Sequence, residues 1–226
     1  MDQLAGKPVK KRDPIGTRRR ILAAAKAEFA KNGLSGARVD VIARRARINK
    51  QLIYHYFGNK DALFTATLEE AWAEIRSAEE ELALDSLDPV TALKAHVEFT
   101  WDYYVANPEF LTLVSSENLH RGRHIAKSQV IRDVNRPFIA RMRRLLHRGA
   151  EQGVFRAGID PVQLHITIAS IGYYYLTNRH TGSIVFERDL MSEKMLAARL
   201  AFNVETILRL VCTPQALARM EAARAR

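Results

Sequence analysis

Residues 49–60 read Asn49-Lys50-Gln51-Leu52-Ile53-Tyr54-His55-Tyr56-Phe57-Gly58-Asn59-Lys60. Asn49 is a helix-capping residue type, and Gly58-Asn59 is a breaker followed by a second capping residue. The stretch between them therefore predicts one short helix, Lys50 to Phe57. Ile53 and Phe57 stand four apart and face inward. Lys50, Gln51, Tyr54, His55 and Tyr56 supply hydrogen-bonding groups for the other faces. A helix this short, carrying those groups, fits a DNA major groove, where they reach base edges and phosphates.

The flanking residues complete the unit. Val39, Ile42, Ala43 and Ala46 share one side of a preceding short helix, with Asp40 in its first turn, where the helix dipole favours an acid. Arg47-Ile48 breaks it. Further back, Ile21, Leu22, Ala25 and Phe29 take helical spacing until Asn32-Gly33, and Gly is the common residue just past a helix end. Three helices, the last two joined by a tight turn, make a helix-turn-helix unit. After it, Asn59 caps a longer helix from Lys60 to about Leu82.

Charge follows the same division. The 226 residues carry 35 Lys+Arg and 25 Asp+Glu, a net of +10. Residues 1–60 hold 15 of the cations and 4 of the acids, a net of +11, and the remaining 166 residues net −1. This concentration describes a polyanion-binding head on a near-neutral body, and it argues against an anionic membrane surface as the partner of the whole chain. A single cysteine, Cys212, excludes an intramolecular disulfide framework and a cysteine zinc cluster, and suits a reducing cytoplasm. Lys26, Glu28 and Lys31 interrupt the first apolar segment, so no signal peptide is expected. The apolar run Ile166 to Leu176 is too short to span a membrane.

The rest of the chain is punctuated as helices. Asp88-Pro89 opens one that runs to Ala106, and Asn107-Pro108 opens another. A basic helix spans about Ser128 to Gln152, with Pro137 kinking or dividing it. Asp160-Pro161 opens a helix to about Asn178, an irregular stretch follows Thr181-Gly182, Ser192 caps a long helix to Val211, and Thr213-Pro214 opens a short last one. No run of strands and no repeat interrupts this. The expectation is an all-α fold of about nine or ten helices: a basic tail at 1–13, a helix-turn-helix head at 14–60, and a helical ligand-binding and dimerisation body at 61–226.

Thr17 to Phe64 resembles the N-terminal domain of the TetR family of transcriptional regulators. The resemblance rests on Arg19-Arg20-Ile21-Leu22-Ala23-Ala24-Ala25, Phe29, Asn32-Gly33, Val39-Asp40-Val41-Ile42-Ala43, Tyr54-His55-Tyr56-Phe57 and Asn59-Lys60-Asp61-Ala62-Leu63-Phe64. It implies base readout by Gln51 and Lys50, and phosphate contacts from Thr17, Arg38, Tyr54, Tyr56 and Lys60. Asn49, as the cap, and His55 belong to the same surface. Three positions depart from the family pattern. Arg38 stands where Thr usually caps the second helix, Arg47 where a turn Gly is usual, and Leu52 where a small or polar residue is common. Arg38 and Arg47 add cations near the DNA face. Arg47 also brings the left-handed turn into question, because a side chain there costs backbone energy. Leu52 either meets a thymine methyl or packs inward.

One helix-turn-helix reads few bases, and a dimer places two recognition helices about 34 Å apart, one turn of DNA. The resemblance implies a homodimer built from the last two long helices, on a palindromic operator, with Ile168, Ile171, Tyr175, Leu200, Val204, Ile207, Leu208 and Val211 as interface candidates; on periodicity alone, an intramolecular core is their alternative. It also implies a cavity for a small-molecule effector in the body. Trp72, His96, Phe99, Trp101, Tyr103, Phe110, Asn118, His165, Tyr174 and Asn178 are the candidates to line it; each has ordinary core packing as its alternative.

Other chemistry finds less support. His120 and His124 have metal-ligand spacing, but no Cys or nearby acid completes a site, so they read as a loop or solvated face. Arg141, Arg143, Arg144 and Arg148 read as a solvated helix face. No nucleophile elbow, phosphate loop or dinucleotide fingerprint is present, so no catalysis, cofactor or metal is expected. The reading is a ligand-responsive DNA-binding repressor. The competing class is a helical small-molecule-binding or catalytic protein whose basic head is incidental.

Overall fold

A computed structural model describes residues 13–224, so the expected tail lies outside the described residues except for Asp13. The chain folds as two compact units, with the boundary in sequence between Thr67 and Leu68.

The first unit begins with α1 (Pro14–Gly36). Asp13 is its N-cap rather than part of a tail, and its carboxylate accepts the Gly16 N–H at 2.9 Å. Gly33, with φ 64° and ψ 176°, breaks the helical path as Asn32-Gly33 predicts. Helices α2 (Val39–Ala46) and α3 (Lys50–Phe57) follow, and α4 (Lys60–Glu80) begins in this unit. Ile21, Leu22, Ala25 and Phe29 of α1 are buried with Val39, Ile42, Ala43 and Ala46 of α2, Ile53 of α3, and Leu63 and Phe64 of α4. Phe29 and Phe64 meet edge to face at 5.0 Å between ring centroids. Phe57 is only half-buried, with the Arg18 guanidinium over its ring at 5.7 Å.

Arg38, lacking a short oxygen-bearing side chain, makes no side-chain cap for α2. Glu28 of α1, buried to 3% exposure, compensates: its Oε1 accepts the Arg38 N–H at 3.2 Å and the Asn32 Nδ2 at 2.9 Å. Arg47 adopts the left-handed conformation at φ 55° and ψ 49°, so the turn survives the loss of glycine and carries its backbone cost.

The second unit holds most of α4, a 3₁₀ turn (Leu84–Ser86), α5 (Pro89–Ala106), α6 (Pro108–Leu119), a 3₁₀ turn (Ile125–Lys127), α7 (Gln129–Glu151), α8 (Pro161–Thr177), α9 (Arg179–Val185), α10 (Glu193–Val211) and α11 (Pro214–Arg224). Asp88 and Asp160 cap α5 and α8, each accepting two backbone N–H groups ahead of a proline at the first helical position. The core joins Leu93 and Val97 of α5, Met142 and Leu145 of α7, Leu164 and Ile168 of α8, and Val204, Ile207 and Val211 of α10.

Three expectations change here and one narrows. Pro137 sits inside an undivided α7, which removes the division and leaves the kink. The stretch after Thr181-Gly182 is not irregular throughout: Gly182 lies within α9, directly under Leu190, and α9 raises the total to eleven α-helices among the described residues. Ser192 stands at the N-cap of α10, but its hydroxyl donates to Asp189 O and caps nothing. The arginine row is not simply solvated. Arg141 pairs with Glu80 at 3.2 Å and Arg144 with Asp85 at 2.8 Å, while Arg148 donates to the carbonyls of Leu84, Asp85 and Leu87. These contacts tie α7 to the connection between α4 and α5.

Candidate nucleic-acid interface and effector cavity

In the first unit, α3 is positioned by its caps and by Ile53. Asn49 Oδ1 accepts the Gln51 N–H at 2.9 Å, and the Gly58 N–H closes on Tyr54 O at 2.8 Å. Ile53 is 1% exposed, whereas Lys50, Gln51, Tyr54 and His55 are all exposed. Lys50 Nζ lies 6.0 Å from the Tyr54 ring centroid, close enough for a cation–π contact. Leu52 is half-buried.

The other head candidates divide between free and engaged groups. Arg47 is exposed on its left-handed turn. Arg38 is exposed but forks onto Asp40, with Nη2 to Oδ2 at 3.1 Å. That contact lowers the Asp40 carboxyl below its ordinary value. Tyr56 is half-buried and donates its hydroxyl to Pro14 O at 3.4 Å. Lys60, at the start of α4, donates Nζ to Ser35 O at 3.1 Å. Thr17 Oγ1 accepts from Arg20 Nη2 at 3.0 Å. Thr17, Tyr56 and Lys60 thus each hold one local contact. Arg44 and Arg45, which the motif did not single out, are exposed in the last turn of α2.

In the second unit a cavity of about 470 Å³ opens among α4, α5, α6 and α8. Of the ten candidates, Trp72, Phe110, Asn118, His165 and Tyr174 line it, together with Arg76, Tyr104, Leu111, Val114, Ala169, Ser170 and Tyr173. Asn178 lines a second cavity of about 350 Å³, shared with Tyr174, Tyr175 and Arg199. The remaining four are placed elsewhere. His96 is 1% exposed and Trp101 4%, both packed in the interior. Phe99 and Tyr103 pack on each other with tilted rings, centroids 5.7 Å apart, off both cavities.

Sequence reading missed the charged floor of the first cavity. Arg76 on α4 is 7% exposed, and its Nη1 lies 2.6 Å from Glu79 Oε2. The other Glu79 oxygen faces His96 Nδ1 at 2.9 Å. Burial works to raise the Glu79 carboxyl, but the His96 contact and the Arg76 charge outweigh it and hold it below the ordinary range. The Arg76 guanidinium sits 4.1 Å from the Phe138 centroid, and His165 packs on the same ring at 4.5 Å. Burial first, then the Arg76 and His96 charges, push His165 down to about 3, so its ring is neutral at neutral pH. Burial likewise pushes the Tyr104 hydroxyl up to about 12. The available signal was the i,i+3 and i,i+4 spacing of Trp72, Arg76 and Glu79, which puts all three on one side of α4.

His120 and His124 lie in the turn after α6, as the loop reading expects, but His124 is buried rather than solvated. Glu117 is the acid beside them: its Oε2 sits 2.6 Å from His124 Nδ1, and its Oε1 accepts the backbone N–H groups of His124 and Ile125. Among the described residues no group of three His, Cys, Asp or Glu is placed to hold a metal.

Five of the eight dimer candidates are corrected. Ile168, Val204, Ile207, Leu208 and Val211 are at most 7% exposed in the single chain, so they belong to its own core. Ile171 and Leu200 are half-buried against that core, and Tyr175 is half-buried with its ring 5.5 Å from that of Trp101. The same two helices expose other apolar side chains: Val162, Ile166 and Tyr174 on α8, and Phe202 and Leu210 on α10.

Two family models match this arrangement. Residues 21–67 match the bacterial regulatory proteins of the tetR family, and residues 89–207 match the tetracyclin repressor-like C-terminal domain. The chain belongs to the TetR family. Among its relatives, the HTH-type transcriptional repressor NicS of Pseudomonas putida is 40% identical over 193 residues, covering 85% of this chain and 91% of that one. The HTH-type transcriptional repressor SCO4008 of Streptomyces coelicolor is 41% identical over 111 residues, 49% of this chain and 54% of the relative. The solved structure of the transcriptional regulator FadR from Bacillus subtilis in complex with stearoyl-CoA has the same fold, at a TM-score of 0.61 and 17% identity, over 84% of this chain and 97% of that one. As a TetR-family member the protein is a DNA-binding transcriptional regulator, and its matched family and named relatives regulate transcription rather than catalyse reactions. Among the described residues no helix is long and apolar enough to cross a membrane.

Proposed function

We propose that this TetR-family regulator is a cytoplasmic repressor that binds a palindromic operator as a homodimer and is released by a small molecule held in the 470 Å³ cavity. The observation that carries the reading is the face of α3. Lys50, Gln51, Tyr54 and His55 are all exposed on a helix whose only fully buried side chain is Ile53. Gln51 and Lys50 read base edges, while Arg47, Tyr54 and Lys60 hold phosphates, assisted by the amides at the start of α4. Arg38 contributes less, because Asp40 competes for its guanidinium.

The exposed apolar residues of α8 and α10 form the surface between copies. Val162, Ile166 and Tyr174 fall on a row of positions four apart, as do Phe202 and Leu210, and such rows interdigitate when helices pack. The cavity supports an effector site, since mostly apolar walls with a few polar groups suit a small organic ligand. The Bacillus subtilis FadR structure, which has this fold and was solved in complex with stearoyl-CoA, supports the reading.

A salt titration tests the DNA reading. Operator affinity should fall log-linearly with salt, with a slope of about −0.9 per phosphate contacted, and operator should outlast random duplex. Gln51→Ala should relax the preference at one or two base positions. Equal, weak binding to every duplex at all salt concentrations would return the head to an incidental role.

A further inference from the structure

Resting on the effector-site reading, we infer that the ligand is an organic anion: a flat aromatic body with a carboxylate that docks on the Nε edge of Arg76. The cavity's unpartnered buried polar atoms are all nitrogens. Trp72 Nε1, Arg76 Nε and His165 Nδ1 each lack a hydrogen-bond partner. Indole and guanidinium nitrogens are donors only, so the missing group must be an acceptor. Unsatisfied buried donors are costly, and two of them on one cavity, with the unpartnered His165 Nδ1 beside them, mark a place where a ligand atom belongs.

Charge narrows the acceptor. Arg76 is the one cation among the described lining residues, and His165 does not add a second. Glu79 does not line the cavity. One of its oxygens is occupied by Arg76 Nη1 and the other faces His96, so the carboxylate fixes the guanidinium from behind and leaves the Nε edge uncommitted. Phe138 at 4.1 Å and Trp72 at 5.9 Å from Arg76 Cζ restrict it further. A guanidinium held on one side by Glu79, with its buried Nε unpartnered beside an apolar slot, is a carboxylate receptor. The walls set the body of the ligand. Trp72 meets Phe110 edge to face at 5.3 Å, Tyr104 stacks on Phe110 at 6.0 Å, and Leu111 and Val114 complete an apolar slot.

Calorimetry on the full chain with 2-naphthoate and benzoate, each against its uncharged amide, tests this. The acids should bind at least tenfold tighter than 2-naphthamide and benzamide, in line with one charge-assisted hydrogen bond. Arg76→Gln should remove that preference. Because that change strands Glu79, the double variant Arg76→Gln/Glu79→Gln is measured alongside, and it should also bind acid and amide alike. Ala169→Phe, which fills the cavity from α8 and leaves Arg76 and Trp72 in place, should abolish binding of every compound. If acid and amide bind equally and Ala169→Phe blocks both, the anion inference fails while the effector cavity stands. If acid preference persists without Arg76, the inference likewise fails. If no compound binds, or none is sensitive to Ala169→Phe, both the inference and the effector-site reading fall.

Discussion

Replacing Arg47 by glycine separates two effects that the sequence superimposes. Arg47 holds φ 55°, and the turn it forms is otherwise well made, with its N–H donating to Arg44 O at 3.2 Å and the Ile48 N–H to Ala43 O at 3.0 Å. A non-glycine residue in this region costs about 1–2 kcal/mol, of which glycine gives back roughly 0.5–1 kcal/mol through the greater entropy of its unfolded chain. Arg47→Gly should therefore stabilise the head by about 0.5–1 kcal/mol, read as a higher urea midpoint at unchanged slope. The same change deletes an exposed cation proposed to meet a phosphate. The slope of log affinity against log salt should then shrink by about 0.9 for each head. Arg47→Ala is the control: it loses the same charge but keeps the left-handed strain, so its salt slope should match Arg47→Gly and its stability should not rise. Equal urea midpoints for the two variants would refute the strain argument. An unchanged salt slope in both would remove Arg47 from the DNA surface.

Three further outcomes follow from the second unit. A Cβ on Gly149 would run into the Phe155 ring, which is 2% exposed and held by the N–H bond from Phe155 to Gly149 O, so Gly149→Ala should cost about 1–3 kcal/mol in urea unfolding. Burial works to raise the Glu117 carboxyl, but its bonds from His124 and Ile125 hold it below the ordinary 4.5. Its stabilisation is therefore complete above that value and is lost as pH falls through the lower folded value, so Glu117→Gln should flatten the acid limb of the stability curve in thermal melts from about pH 3 to 7. Phe202 is 60% exposed, so Phe202→Glu should yield a folded monomer in analytical ultracentrifugation with weakened operator binding, whereas Ile207→Asp, at a fully buried site, should fail to fold.

Local signals made the head legible. Asn49, Asn59, Asp88 and Asp160 cap helices through bonds to residues two or three positions away, and such bonds depend only on the neighbouring sequence. Long-range polar contacts left no such trace. Arg148 reads as one more solvated cation until the carbonyls of Leu84, Asp85 and Leu87, more than sixty positions earlier, are brought beneath it. Glu28 reads as a surface acid until α2 arrives with an uncapped N–H. Arg76 and Glu79 show the same limit: their spacing puts them on one side of α4, and only tertiary packing shows that side turned inward, with His96 facing the second Glu79 oxygen.

The body helices expose a different limit, and it bears directly on function. In a helix apolar nearly all round, periodicity states that most faces are covered and is silent about which cover belongs to the same chain. In α8 the chain's own core takes Leu164, Ile168 and Leu176, and Val162, Ile166 and Tyr174 are left outside. In α10 it takes Val204, Ile207, Leu208 and Val211 and leaves Phe202 and Leu210. Apolar content alone cannot separate these sets, because Ile207 and Phe202 are equally good candidates for either role. What separates them is the remainder after intrachain packing is complete. That remainder is apolar, lies on both of the last long helices, and is what a second copy would bury.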